Sequence, residues 1–212
     1  MMNFDTICFD CDSTLSKIEG IDELARHVGL GDELAKLTEA AMNGEVALAE
    51  IYGKRLELIK PNRSAIEWVA QLYIDELVEG TVEVFATLAA HQKNVHIISG
   101  GLLPAILPLA KLLNVPCENV HAVDVYFAEN GDYAGYATLS PLARNGGKAE
   151  IVKSLQGKNL VMIGDGNTDL EARQAGAKVI GFGGVVARKL VREKADFFIE
   201  NKNLTAVLPH II

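Results

Sequence analysis

Short apolar runs, each ended by polar or glycine-rich sequence, recur along the chain and constrain its fold more than any other feature. Each run is brief, as expected of strands buried on both faces. Helical patterns follow the first four, and this alternation predicts an α/β fold with a doubly wound, Rossmann-like parallel sheet. The runs are Thr6–Phe9, Val95–Ile98, Leu160–Ile163, Lys178–Phe182 and Phe197–Ile199.

Two regions interrupt the alternation. Residues 16–78 contain no convincing strand and predict a small helical cap inserted after strand 1, which leaves 1–15 and 79–212 as the core domain. A β-hairpin is predicted around Asn130-Gly131-Asp132, between Val123–Phe127 and Tyr133–Ala137, and a short helix is expected from about Asn203. The cap helices are predicted at Ile21–Val28, Asp32–Met42, Val46–Ile59 and Arg63–Leu77.

Charge, cysteine content and the apolar stretches indicate which binding partners and which cellular compartment to expect. The 212 residues carry a net charge of −8 at 49% hydrophobic content, typical of a globular protein, and the acidity disfavours nucleic acid and anionic membranes as partners. The three cysteines, Cys8, Cys11 and Cys117, form no disulfide framework. The start of the chain lacks the pattern of a signal peptide, and the apolar stretch near 95–113 is broken by prolines, so we expect a cytoplasmic protein that does not span a membrane.

Two carboxylates directly follow the first apolar run. Asp10 and Asp12 are two residues apart at the predicted strand end, where ligands bind in parallel sheets. An isolated pair of this kind also fits an ordinary turn or helix cap. Chemically, the pair supplies a nucleophilic carboxylate and a neighbouring acid or base, and carboxylates suit Mg²⁺.

Phosphate-binding candidates occur at two further points of the chain. Ser99-Gly100-Gly101 follows the second run, where glycines let backbone amides approach an anion and the hydroxyl adds a donor. Lys148, after two glycines, begins a helical run, although the helix dipole does not favour a cation there. This placement indicates that Lys148 faces a negative group.

A second acidic cluster follows the third predicted strand. In Gly164-Asp165-Gly166-Asn167-Thr168-Asp169, Asp165 is a candidate metal ligand and Asp169 a candidate for orienting its neighbours. The dinucleotide fingerprint fails because Asp169 stands where its third glycine is required, and no nucleotide-binding P-loop motif is present. The carboxylate pair, the Ser-Gly-Gly segment, the lysine and this acidic cluster could all contact one bound phosphate group.

These four elements resemble the motifs of the haloacid dehalogenase superfamily of phosphatases, in the same order. Within it, nearly the whole chain is similar to the phosphoserine phosphatase family. The similarity also includes Glu19-Gly20-Ile21-Asp22-Glu23-Leu24-Ala25, Ala41-Met42, Lys54-Arg55-Leu56 and Ile180-Gly181-Phe182-Gly183-Gly184.

The resemblance implies a hydrolase that cleaves O-phosphoserine through an aspartyl phosphate, with Asp10 as nucleophile and Asp12 as general acid and base. It implies Mg²⁺ bound by Asp10, the Asp12 backbone carbonyl and Asp165, with Asp169 behind them. The phosphoryl group would be bound by Ser99, Gly100 and Lys148, and the rest of the substrate by Glu19, Met42, Arg55, Gly101 and Thr168. Glu19 would meet the ammonium and Arg55 the carboxylate, a pairing suited to a zwitterion.

Some positions differ from the family pattern. Leu48 and Leu102 stand where Phe is usual, Tyr52-Gly53 where Ser-Leu is frequent, and Asp124 where Asn is frequent. The sequence leaves open a phosphatase for another small phosphomonoester, a phosphotransferase and a phospho-accepting signalling module. It also leaves open a monomer or a homodimer.

Overall fold

A computed structural model describes residues 4–42, 45–46, 48–155, 157 and 159–212. In this part of the chain the central sheet has six parallel strands in the order β3-β2-β1-β6-β7-β8, so the first strand lies in the middle. The predicted α/β class and parallel sheet are confirmed. The strands are β1 Thr6–Phe9, β2 Asn94–Leu102, β3 Val120–Val123, β6 Leu160–Gly164, β7 Lys178–Phe182 and β8 Phe197–Ile199.

Burial of the central strands explains why their sequences are short apolar runs. All four residues of β1 are buried, as expected of a strand with helices packed on both faces of the sheet.

Two details of the strands differ from the prediction. The edge strand β3 was not predicted, and its last residue, Val123, was assigned to the hairpin, whose strands are β4 Val125–Phe127 and β5 Tyr133–Tyr136. Strand β2 continues to Leu102 through an irregular register, so Ser99-Gly100-Gly101 ends the strand rather than following it.

Four helices follow β1, as predicted. An isolated bridge between Ser16 and Leu77 joins the two ends of this segment. Its division from the core at 16 and 78 stays a prediction. The helices are α1 Gly20–His27, α2 Gly31–Met42, α3 Leu48–Ile59 and α4 Arg63–Asp75.

The remaining helices connect the strands and cover the sheet. Buried apolar side chains of these helices, of the segment after β1 and of the strands form one continuous core. Among the described residues, no helix has both the length and the hydropathy needed to cross a membrane. These helices are α5 Thr81–Ala90, α6 Leu103–Leu112, α7 Gly147–Ser154, α8 Asn167–Leu170, α9 Lys189–Lys194 and α10 Leu208–Ile211.

Candidate active site

Asp10 lies at the carboxyl end of β1, the strand in the middle of the sheet. Its amide donates to the Ile163 carbonyl at 2.9 Å, which continues the pairing of β1 with β6 by one residue. The Cys11 amide donates to Asp10 Oδ1 at 2.7 Å. The carboxylate is therefore buried and fixed by backbone that the sheet itself positions.

Lys148 is the cation that faces Asp10. Its Nζ lies 2.7 Å from Asp10 Oδ2 and 2.7 Å from Asp169 Oδ1, and all three side chains are buried. Burial alone would lower the pKa of Lys148, but the two carboxylates outweigh it and raise the pKa, so the ammonium stays charged. Its position at the start of α7, unfavourable for the helix dipole, is explained by this pair of anions.

Asp165 and Asp169 bring two more carboxylates to Asp10. Oxygen atoms of the three side chains lie within 4.8 Å of one another. Asp165 follows β6 and accepts from Arg188 Nε at 3.0 Å, while burial raises its pKa to about 6. Clustered carboxylate oxygens are the donor set that hard divalent cations prefer, so these residues could hold a metal ion.

Glycine at 164 lets the acidic loop close tightly. A Cβ at Gly164 would collide with the Asp169 carboxylate, which packs directly against this backbone. Asp169 Oδ2 also accepts from the Gly166 amide at 2.9 Å. Asp169 is thus held by its own loop while it contacts Lys148, as expected of a residue that orients its neighbours.

The Asp12 carboxylate has a separate set of donors. Oδ1 accepts from the Gly20 amide at 2.6 Å and from the Tyr73 hydroxyl at 2.7 Å, and Oδ2 accepts from Ser99 Oγ at 3.2 Å. Its pKa is raised, first by burial and second by the Asp10 carboxylate. Burial is therefore the larger of the two causes.

The end of β2 forms a further wall of the site. Ser99 Oγ accepts from the Gly101 amide at 3.0 Å. The Tyr52 hydroxyl, from α3, donates to the Gly100 carbonyl at 2.8 Å. This contact fixes the backbone of the predicted phosphate-binding segment from the side of the helical insertion.

The predicted substrate residues Glu19 and Arg55 face the same cavity of about 790 Å³, which opens to solvent. Glu19 accepts from Ser13 Oγ at 2.8 Å, and its pKa is raised by burial and by Asp12 and Asp165. Burial lowers the pKa of Arg55, while Asp22 and Glu19 oppose that shift. Of the predicted site residues, the cavity is lined by Asp10, Asp12, Glu19, Arg55, Gly100, Gly101, Lys148, Asp165 and Thr168.

Two predicted site residues lie outside the cavity lining, and the side chain of a third, Met42, is not described. Ser99 and Asp169 stand behind the cavity lining and touch it through Asp12 and Lys148. The side chains of Met42 and Leu48 lie outside the described residues.

Sequence reasoning missed Arg188 and Tyr73. Arg188 is buried and connects Asp165 with Glu19 Oε1, at 3.4 Å from the latter. Its position shortly after the Gly181-Phe182-Gly183-Gly184 segment was a usable signal, because that segment was already part of the resemblance. Tyr73 sits in a helix far along the chain from Asp12, and no local pattern indicates their contact.

Comparisons with known proteins show the family of the chain. The family described as haloacid dehalogenase-like hydrolase matches residues 4–176. Phosphoserine phosphatase of Bos taurus is 38% identical over 199 residues, which cover 92% of this chain and 88% of that protein. The chain belongs to the phosphoserine phosphatase family of the haloacid dehalogenase-like hydrolases. The resemblance read from the motifs is therefore confirmed.

Solved structures of the family share the whole architecture. A phosphoserine phosphohydrolase-like protein from Francisella tularensis has a TM-score of 0.87 at 27% identity, over 98% of this chain and 99% of that one. A phospho-aspartyl intermediate analogue of phosphoserine phosphatase has a TM-score of 0.82 at 27% identity, over 99% of this chain and 100% of that one. The likeness extends over the helical insertion as well as the sheet.

Proposed function

We propose that this chain hydrolyses O-phosphoserine to serine and phosphate through an aspartyl phosphate on Asp10. One observation carries the proposal. The Asp10 carboxylate lies 2.7 Å from Lys148 Nζ at the floor of a cavity that is also lined by Glu19 and Arg55. A nucleophile, a cation for the phosphoryl group and a charged pair suited to a zwitterion therefore share one cavity. The names of the family relatives support the same substrate.

In the first step, an Asp10 carboxylate oxygen attacks phosphorus as the bond from phosphorus to the serine oxygen breaks. The leaving oxygen takes a proton from the Asp12 carboxyl group. The raised pKa of Asp12 suits a group that begins protonated. Lys148 and backbone amides of the Ser99-Gly100-Gly101 segment offset the negative charge of the transferring group.

In the second step, water attacks phosphorus of the aspartyl phosphate and gives its proton to Asp12. The bond from phosphorus to Asp10 breaks, so phosphate leaves and both carboxyl groups return to their starting states. The solved phospho-aspartyl intermediate analogue of a relative supports this route.

The cofactor proposed for this site is Mg²⁺. Asp10, Asp165 and the Asp12 backbone carbonyl would hold the ion, and Asp169 would keep Lys148 and the acidic loop in place. The three clustered carboxylates fit such a cation. When bound, Mg²⁺ supplies Lewis-acid stabilisation of the charge on the phosphoryl oxygens.

We assign substrate recognition mainly to the side of the cavity formed by the helical segment after β1. Glu19 would pair with the substrate ammonium and Arg55 with its carboxylate, while Gly100, Gly101 and Thr168 line the same cavity. The family resemblance adds Met42 as a further substrate contact. The proposed cap, residues 16–78, would exclude water during the first step and admit it for the second. A cytoplasmic location and a monomeric or homodimeric state stay predictions.

The test is a phosphate-release panel with the purified chain. We expect release from O-phosphoserine with Mg²⁺ and its loss when the ion is chelated with EDTA. Phosphate release is also measured from O-phosphothreonine and a sugar phosphate, which are phosphomonoesters with a different leaving alcohol. Faster release from the sugar phosphate than from O-phosphoserine would contradict the substrate, and undiminished turnover in EDTA would contradict the metal.

A further inference from the structure

Tyr73 places a buried hydroxyl against the Asp12 carboxylate. It lies in α4, whose buried face also carries Ile66, Val69 and Ala70, and it is 1% exposed. Its hydroxyl donates to Asp12 Oδ1 at 2.7 Å across 61 residues of sequence. Most buried hydroxyl groups in proteins have a hydrogen-bond partner, and the partner of Tyr73 is the proposed general acid and base.

The start of α1 is shaped to admit this contact. A Cβ at Gly20 would collide with the Tyr73 hydroxyl, so only glycine leaves room for the phenol at that point. The Gly20 amide meanwhile donates to the same oxygen, Asp12 Oδ1, at 2.6 Å. Gly20 thus contributes both a donor and the space for the second donor.

We propose that Tyr73 is a positioning residue for Asp12, an inference that rests on the proposed function. Two donors saturate Oδ1 and hold the plane of the carboxyl group, which leaves Oδ2 as the oxygen that carries the transferable proton. Oδ2 lies beside Ser99 Oγ, at the end of β2 and next to the proposed phosphate site. Proton transfer to the leaving oxygen depends on this orientation, because acid catalysis requires the donor within hydrogen-bond reach.

One substitution at Tyr73 can separate the orientation of the Asp12 carboxyl group from the packing of the core. Tyr73→Phe keeps the aromatic ring in the core and removes the hydroxyl alone. Without it, one donor remains on Oδ1, and the carboxyl group can rotate away from the leaving oxygen. Substrate affinity depends on Glu19, Arg55 and the phosphate contacts, none of which includes the Tyr73 hydroxyl.

The experiment is steady-state hydrolysis of O-phosphoserine with saturating Mg²⁺. Tyr73→Phe is expected to lower kcat about tenfold while KM stays within about twofold. The matched control is Tyr133→Phe, because the buried Tyr133 hydroxyl has no hydrogen-bond partner among the described residues. The control is expected to keep both constants. Thermal unfolding of each variant reports packing separately.

A second variant tests the same contact from the other side. A Cβ at Gly20 would collide with the Tyr73 hydroxyl and also with the ring carbon Cζ, which Phe retains. The effect of Gly20→Ala on kcat should therefore be smaller in the Tyr73→Phe background than in the wild type, but it should not disappear. The inference is overturned if Tyr73→Phe keeps kcat within about twofold, if KM rises instead, or if Tyr133→Phe loses as much. Failure of the wild-type chain to release phosphate from O-phosphoserine would count against the proposed function instead.

Discussion

The strand-end side of the cavity and its helical side are built differently. On the strand-end side, Asp10 and Asp165 follow β1 and β6 directly, and Lys148 lies between the carboxylates of Asp10 and Asp169. On the helical side, Tyr52, Arg55 and Tyr73 come from α3 and α4, and the residues around them are mainly apolar. Pairing of the strands positions Asp10 and Asp165, and their side of the cavity is completed by ion pairs to Lys148, whereas packing between helices positions the second set.

This difference in construction assigns phosphoryl transfer mainly to the strand-end side and recognition of the substrate mainly to the helical side. Parallel strands bring their carboxyl ends to one edge whatever the loops contain, so a phosphoryl-transfer centre at that edge tolerates changes elsewhere. Helices of an insertion can shift or change residues without moving the nucleophile. Variants on the strand-end side should therefore affect turnover or stability, and a variant of Arg55 on the helical side should affect which substrate binds. Tyr73 is the exception on the helical side, because its hydroxyl contacts the Asp12 carboxylate.

The largest expected effect is at the nucleophile. Asp10→Asn keeps the shape of the side chain but replaces the attacking carboxylate by an amide, so kcat should fall by at least about a thousandfold. The measurement is phosphate release from O-phosphoserine, with mass spectrometry for a phosphorylated protein. Appreciable turnover by the variant, or a phosphoprotein formed without Asp10, would remove the assignment.

Lys148 tests the stability of the strand-end side. Lys148→Met leaves Asp10 and Asp169 buried without their ammonium, so the free energy of unfolding should fall by about 3 kcal/mol. Denaturant titration in EDTA measures this without compensation by a metal. The control is Lys178→Met, which breaks an exposed pair with Asp196 and should cost less than about 1 kcal/mol. Equal losses in the two variants would show that burial of the Lys148 cluster contributes nothing extra.

The strand-end side was also the easier one to predict. The positions of Asp10 and Asp165 follow from a local rule, that polar residues directly after buried strands meet at one edge of the sheet. Lys148 was indicated by a different local signal, its unfavourable place at the start of a helix. The strand β3 was missed because its four residues include a histidine and lie directly before the hairpin, to which Val123 was assigned. Partial burial of an edge strand gives no stronger sequence signal.

Contacts on the helical side depend on distances that sequence does not encode locally. The Tyr73–Asp12 and Arg188–Glu19 contacts join residues separated by 61 and 169 positions. They exist because α4 and the segment before α9 pack against the site, and only the assembled fold specifies that packing. Tyr52 had been noted as a departure from the family pattern, but its bond to the Gly100 carbonyl required the structure.

Arg55 tests recognition on the helical side. Arg55→Lys keeps the charge but loses the planar fork that matches a carboxylate, so KM for O-phosphoserine should rise about tenfold with little change in kcat. O-phosphoethanolamine, which has the ammonium but no carboxylate, is the matched control substrate. Its KM should be the same for the variant and the wild type. A similar rise with both substrates would mean that Arg55 acts on the phosphate or on the fold.

The smallest expected effect is at Tyr52. Tyr52→Phe removes one donor to the Gly100 carbonyl, a bond worth about 1 kcal/mol, so kcat/KM should fall about fivefold. The phosphate-binding segment would lose an anchor, and inorganic phosphate should inhibit the variant more weakly by a similar factor. If kcat/KM falls while inhibition by phosphate is unchanged, Tyr52 shapes the leaving-group end of the cavity instead. Such a result would limit Tyr52 to substrate recognition, whereas weakened inhibition would show that Tyr52 also supports the phosphate-binding backbone on the strand-end side.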